Sequence, residues 1–214
     1  MAVEAVIWDF GGVITTSPFE AFRRYERERG LPRDFLRSVN ARNADANAWS
    51  RFERAEIDAE AFDRAFARES AALGFEIGGA EILPLLSGSL RPRMIAALTA
   101  AKGRYKLGCI TNNVPAGKGS GMSLGETQAR AVAEVLDIFD HVLESSKIGL
   151  RKPDPRIYQL MCEKLEVAPE NCIYLDDLGV NCKPAAALGM IAIKVDSETQ
   201  ALADLARALE VVRP

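Results

Sequence analysis

The sequence predicts an α/β fold: a doubly wound parallel sheet carrying an inserted helical cap. Three observations lead there. Residues 3–14 form an apolar run, too short for a typical helix and rich in β-branched residues, that breaks at Asp9 and the glycines 11 and 12. That is the pattern of a fully buried central strand. From residue 91 onward, short apolar runs alternate with amphipathic helical segments, as a parallel sheet with crossover helices requires. Between these regions, residues 17–86 read as almost entirely helical, with no convincing strand. A parallel crossover usually needs a single helix, so a block of this length is read as an insertion. The expected domains are a core, 1–16 and 87–214, and a helical cap, 17–86.

The elements follow in order. Asp9 closes the first strand. Ser17 and Pro18 supply an N-cap and a first helical residue, and the helix they open stops at Gly30. Leu31 and Pro32 restart a short helix to about Asn40. Residues 43–47 are polar and loop-like, and Phe52, Ile57, Phe62, Phe66 and Leu73 mark helical segments ending at Gly74. Residues 91–102 form an amphipathic helix stopped by Gly103, and 105–110 form a second strand ending at Thr111, Asn112 and Asn113. The Gly-rich stretch 115–125 is expected to be a mobile loop with Lys118 solvated. Its Gly-Lys-Gly-Ser is no phosphate-cradling P-loop, because Asn112 stands where the first glycine is required. Helix 126–136, strand 141–144, a helix running to about Leu165, strand 172–175, helix 181–188, strand 190–195 and helix 198–210 complete the chain.

Composition narrows the function classes. The 214 residues are 48% hydrophobic and 27% charged, with a net charge of -3. That is ordinary for a globular protein and lacks the basic excess of a nucleic-acid binder. No apolar stretch is long enough to span a bilayer, and no basic signal region opens the chain. A cytoplasmic monomer or homodimer with neither nucleic-acid nor membrane partner is expected. Cys109, Cys162, Cys172 and Cys182 form no CxxC pair and read as reduced, mostly buried thiols. The single histidine, His141, excludes multi-histidine zinc sites. It has no Gly-x-Ser-x-Gly elbow to partner it in a triad and is read as a strand residue near a sheet edge.

Four strand ends carry chemistry: Asp9, then Thr111 and Asn112, then Lys152 ahead of a helix, then Asp176 and Asp177. In a parallel sheet such ends converge on the carboxyl edge, where active sites lie. Taken singly, each residue also fits a structural role: a turn at Asp9, backbone satisfaction at Thr111, a surface lysine at 152, helix capping at 176 and 177. A carboxylate beside flexible backbone, as at Asp9, suits a nucleophile, a metal ligand or both.

This succession resembles the haloacid dehalogenase superfamily of hydrolases. Asp-Phe-Gly-Gly-Val, residues 9–13, is similar to its first motif, an aspartate nucleophile. Thr111 resembles the second motif, Lys152 in Arg-Lys-Pro-Asp-Pro-Arg-Ile-Tyr the third, and Leu-Asp-Asp-Leu-Gly-Val-Asn, residues 175–181, the fourth. The closest likeness is to the subgroup that includes the N-terminal phosphatase domain of soluble epoxide hydrolase and bacterial sugar-phosphate phosphatases. It covers almost the whole chain and is weakest over 17–86. The resemblance implies a Rossmann-like core and hydrolysis of a small phosphate monoester through an aspartyl-phosphate. It implies Mg²⁺ held by Asp9, the Gly11 carbonyl and Asp177, with Asp176 beside them. Lys152 would set a compact positive charge near the nucleophile, and Thr111 and Asn112 would donate to the phosphoryl oxygens. Trp49 and Arg51 are the cap residues expected to meet the substrate.

The chain departs from that pattern at one position. Phosphatases of the superfamily usually carry a second aspartate two residues after the nucleophile, as general acid and base; here that residue is Gly11. Loss of such a group commonly costs about 10²–10⁴-fold in rate. Glu53 and Glu56 are the candidate replacements in the cap. 2-Haloacid dehalogenases of the superfamily also lack the second aspartate. They are not metal enzymes, however, and do not need a carboxylate pair at the fourth motif, so Asp176 and Asp177 favour the phosphatase reading. A third reading is a feebly catalytic fold that binds a phosphorylated ligand or a protein.

Overall fold

The computed structural model describes residues 2–211. Five parallel strands form one sheet in the order β3-β2-β1-β4-β5: β1 Ala5–Trp8, β2 Lys106–Thr111, β3 His141–Glu144, β4 Cys172–Asp176 and β5 Ile191–Lys194. The first strand is central, as its unbroken apolar run requires. Side chains alternate between the two faces. Val6 and Trp8 join Leu107, Cys109, Ile173 and Leu175 under α6 (Pro92–Ala101), α7 (Glu126–Leu136) and α11 (Glu198–Val211). Ala5 and Ile7 join Ile110 and Tyr174 under α9 (Pro155–Leu165) and α10 (Gly179–Ala187). His141 lies exposed on β3, the edge strand, and all four cysteines are buried and free.

Register sets the functional edge. Trp8 lies opposite Cys109 on β2 and Leu175 on β4, so Asp9, Asp176 and Thr111 emerge within about a residue of one another along the carboxyl edge. The Asp9 N–H still pairs with the Leu175 carbonyl at 2.8 Å. Beyond Asp9 the chain coils through a tight wide turn, Phe10–Ile14, closed by the Thr15 N–H on the Phe10 carbonyl at 3.0 Å. Gly12 makes that turn possible with φ +84°, a conformation L side chains avoid.

Residues between 17 and 86 contain α1 Pro18–Glu28, α2 Phe35–Ala41, α3 Ala48–Glu53, α4 Ala59–Ala71, the single turn α5 Gly79–Ile82 and a 3₁₀ turn Leu83–Leu86; no strand occurs there among the described residues. They pack round an apolar cluster separate from the sheet's. Phe52 stacks on Phe62 with centroids 4.6 Å apart, and Trp49 meets Phe22, Phe62 and Phe66. Inside the block, buried Glu26 receives the N–H groups of Asp34 and Leu36, each at 3.0 Å, and so caps the start of α2. The block joins the core through a narrow neck. Thr16 N–H donates to the Ser89 carbonyl at 2.8 Å and Thr15 bridges Leu90. Gly88 is needed there, since a Cβ would lie 2.5 Å from the Thr16 carbonyl oxygen.

The single turn Ser145–Ile148, α8, has no counterpart in the sequence reading; four residues are too few for helical periodicity to show. No described helix is long and apolar enough to cross a membrane.

Candidate active site

The edge of the sheet gathers Asp9, Lys152, Asp176 and Asp177. Lys152 is only 1% exposed. Its ammonium lies 2.7 Å from Asp9 Oδ1 and 2.8 Å from Asp176 Oδ2. Asp9 Oδ1 also accepts the Phe10 N–H at 2.6 Å, which fixes the carboxylate's orientation and leaves Oδ2 as its other oxygen.

Asp176 is completely buried and fully engaged. Besides Lys152 it accepts from Tyr174 Oη at 2.5 Å, Leu178 N–H at 2.8 Å and Asn181 Nδ2 at 3.0 Å. Tyr174 reaches it because residues two apart in a strand share a face. Asp176 belongs to the carboxylate group that could hold a metal, and its oxygens also receive these donors, Lys152 among them. Asp177 is held differently: Ser17 Oγ donates to its Oδ2 at 3.1 Å. Ser17 opens α1, but its hydroxyl makes no capping bond to that helix. It serves the opposite side of the site, a role that helix-start chemistry conceals.

Charge in the cluster does not balance. Three carboxylates, of Asp9, Asp176 and Asp177, bring ligand oxygens within 4.8 Å of one another, against the one ammonium of Lys152. Burial pushes the Asp9 carboxyl well above the ordinary carboxylate range; Lys152 pulls it back, while Asp176 and Asp177 push it further up. Burial, with help from Asp176, raises Asp177 to about 6. Burial alone would lower the Lys152 ammonium, but Asp176 and Asp9 outweigh it and hold the group protonated. An oxygen-lined, electronegative pocket of this kind suits a hard divalent cation, so the residues present fit Mg²⁺. Asp9 and Asp177 are the carboxylates with an oxygen left to offer it.

The two glycines after Asp9 differ. Gly12 leaves room for Asp177: a Cβ there would lie 2.2 Å from Asp177 Oδ2. Arg91 Nη1 fixes the Gly12 carbonyl at 2.8 Å. Gly11 has φ -72° and ψ 123°, backbone any residue adopts, and a Cβ added there meets nothing within 4 Å.

Asp9, Gly11, Lys152 and Asp177 line a cavity of about 560 Å³ between the sheet edge and the helical block. Thr111, buried at the end of β2, lines it, as expected. Asn112 lines it too, but its amide is committed to Lys152: Oδ1 accepts the Lys152 N–H at 2.9 Å and Nδ2 donates to the Lys152 carbonyl at 3.0 Å. Both bonds tie it to the lysine's backbone. Trp49 lines the cavity, with its indole N–H on Glu53 Oε1 at 2.9 Å. Arg51 does not line it; it is exposed and its nearest carboxylate is Glu56, at 3.8 Å. Two residues, about half a helical turn, separate the facing Trp49 from the averted Arg51, and the aromatic-basic composition of 49–54 carries no such phase.

The arginine the sequence reading passed over is Arg151. Its Nε meets Glu53 Oε2 at 2.6 Å, with both side chains largely buried, and Glu53 also lies 3.4 Å from Asn112 Nδ2. Of the two candidate replacement acids, Glu53 therefore reaches the cavity but is occupied by three donors, while Glu56 pairs outside it with Arg54. Residues 120–122 of the Gly-rich loop line the cavity as well. Lys118 is exposed but paired with Glu126.

A family model for haloacid dehalogenase-like hydrolases matches residues 3–189. Mouse bifunctional epoxide hydrolase 2 is 28% identical over 216 residues, covering 96% of this chain and 38% of that protein. A sesquiterpene phosphatase of Aspergillus oryzae is 26% identical over 193 residues, covering 89% of this chain and 88% of its own. The chain spans between 18% and 40% of the length of the mammalian relatives it matches. Among solved structures, an enzyme of the same family from Bacteroides thetaiotaomicron, in complex with magnesium and inorganic phosphate, superposes with a TM-score of 0.60. It has 15% sequence identity, and the match covers 92% of this chain and 96% of that one.

Proposed function

Because this chain belongs to the haloacid dehalogenase-like hydrolases, we propose that it is a Mg²⁺-dependent hydrolase of small organic phosphates acting through a phosphoryl group on Asp9. The observation that carries this reading is the cluster of three carboxylates sharing one buried ammonium. A halide-displacing site has no use for that excess of negative charge, whereas a cation-bound phosphate complements it.

Asp9, the Gly11 carbonyl and Asp177 would hold Mg²⁺, whose charge cancels the repulsion between the nucleophile and the phosphate. Asp9 supplies the attacking carboxylate, which Phe10 and Lys152 orient through Oδ1. Lys152 stays protonated and stabilises charge on the nucleophile and the transferring oxygens. Thr111 donates to a phosphoryl oxygen. The block 17–86 serves as the cap, tied down by the Glu53–Arg151 pair, and excludes water while the phosphoryl group moves. Phe19, Phe22, Trp49, Leu86, Val114 and Met122 give the cavity an apolar wall, beside the polar Arg37, Asn40, Asp45 and Arg151, so the organic part of the substrate has an apolar portion.

Hydrolysis of an activated aryl phosphate with and without Mg²⁺, beside halide release from 2-haloacids, tests the reading. Metal-dependent phosphate release with no halide release is expected. Halide release without phosphate release would replace this reading with the dehalogenase one, and neither activity would favour a binding protein.

Metal binding has a separate signature. A carboxyl raised in the folded state favours folding while protonated. Without metal, the contribution of Asp177 is therefore lost as pH rises from about 3.9, its unfolded value, through about 6. Mg²⁺ requires the ionised ligands. The Mg²⁺-induced rise in melting temperature is thus expected to be larger above pH 6 than below it. Gly12→Ala, which drives a methyl group into Asp177, is expected to abolish the rise. Calorimetry with and without Mg²⁺ on either side of that pH checks both statements.

A further inference from the structure

The substrate's leaving group is constrained by what surrounds Gly11. Resting on the phosphatase reading, we propose that this site turns over phosphates whose leaving group departs as an anion without being protonated: acyl, enol and aryl phosphates and phosphoanhydrides, in preference to alkyl phosphate esters.

Among the described residues, the acids that line the cavity from the sheet edge are Asp9 and Asp177 alone. The helical block adds Asp45 and Glu53. Asp9 is the nucleophile and Asp177 a metal ligand. Glu53 receives Arg151, Trp49 and Asn112. Asp45 stands exposed on the cap loop ahead of α3, where Arg54 holds its backbone carbonyl. No His, Tyr or Cys lines the cavity among the described residues, and Lys152 is clamped between Asp9 and Asp176.

The gap is not a steric one. Gly11 sits in backbone that any residue adopts, and a Cβ there meets open space. Gly12, by contrast, has to be glycine for both φ and contact. The chain therefore omits a side chain at 11 that its own fold would accommodate. An enzyme so built favours substrates that need no acid.

The steps balance without a protein acid. A carboxylate oxygen of Asp9 forms a bond to phosphorus as the bond from phosphorus to the leaving oxygen breaks. The electron pair stays on that oxygen, which departs as carboxylate, enolate, phenolate or phosphate. Water then adds to phosphorus, the pair of the breaking bond returns to the Asp9 carboxylate, and the water's proton passes to a phosphoryl oxygen of the inorganic phosphate released.

The test compares kcat/KM, with Mg²⁺ present, for acetyl phosphate, aryl phosphates of graded phenol acidity and a straight-chain alkyl phosphate of similar size. A steep decline with leaving-group basicity is expected in the natural sequence. Gly11→Asp is expected to raise the alkyl-to-aryl ratio by about 10²–10⁴-fold. Gly11→Asn, of equal bulk with no proton to give, is expected to leave the ratio unmoved. Alkyl and aryl phosphates cleaved at comparable rates by the natural sequence would overturn the inference alone, and this comparison needs no variant. An Asn variant that gains as much as the Asp variant would also overturn it. The absence of Asp9-dependent cleavage across the whole series would overturn the phosphatase reading and the inference with it.

Discussion

Replacing Lys152 by Met is expected to cost about 3–5 kcal/mol of stability, the usual consequence of leaving a buried charge without its partner. Asp176 and Asp9 would then face each other with no cation between them, in a site where Lys152 is 1% exposed and Asp176 wholly buried. Against a typical total stability of about 5–15 kcal/mol, this is enough to unfold much of the population at moderate urea. Any protein that stays folded should also lose about 10²–10³-fold in turnover, the scale of one preorganised electrostatic group. Equilibrium urea unfolding followed by tryptophan fluorescence checks the stability, since Trp8 is buried in the sheet and Trp49 lies in the helical block. Adding Asp176→Asn to Lys152→Met should recover part of the loss, because it removes one of the stranded charges.

Asp9→Asn is expected to abolish turnover without the loss of stability. It removes the nucleophile, and turnover should fall by roughly 10⁴–10⁶-fold, as for other enzymes stripped of their covalent nucleophile. The fold should tolerate the change. Lys152 keeps Asp176 at 2.8 Å, and an amide in place of Asp9 removes one of three mutually repelling carboxylates whose burial already disfavours ionisation. The melting temperature should stay level or rise in metal-free buffer. A variant that is dead yet stable, set beside one that is weakened in both respects, separates nucleophile from scaffold. The same assay and the same unfolding curves read both.

These contrasts show which parts of the site were legible in the sequence. Strand ends were, because a buried parallel strand announces itself by its apolar run, and register then carries Asp9, Thr111 and Asp176 to one edge. The helical character of 17–86 was legible for a related reason: helical periodicity there leaves no place for a strand. What stayed hidden were pairings across long sequence distances. Glu53 meets Arg151 and Ser17 meets Asp177, and neither partner carries a local signal of the other. The bonds that Asn112 makes to the Lys152 backbone, and those that Asp176 receives from Tyr174, Leu178 and Asn181, carried no signal in the sequence either. Arg51 failed for a simpler reason, since α3 is only six residues long and too short a segment for composition to fix which side faces the cavity. Gly11 was legible as a departure. Its physical meaning, open space on ordinary backbone, lies in the fold.

The phosphoryl group on Asp9 is the central claim, and trapping it is the most direct measurement. Gly11 supplies no base to activate water for the second step, so with an activated aryl phosphate the phosphorylated enzyme should accumulate. Mixing enzyme, Mg²⁺ and substrate, quenching in acid within the first turnover and mapping peptides by mass spectrometry should find one phosphoryl group per chain, on Asp9. It should appear together with a burst of phenol and decay as inorganic phosphate forms. Phenol released with no burst and no phosphorylated peptide, or a phosphoryl group on any residue other than Asp9, would contradict the account.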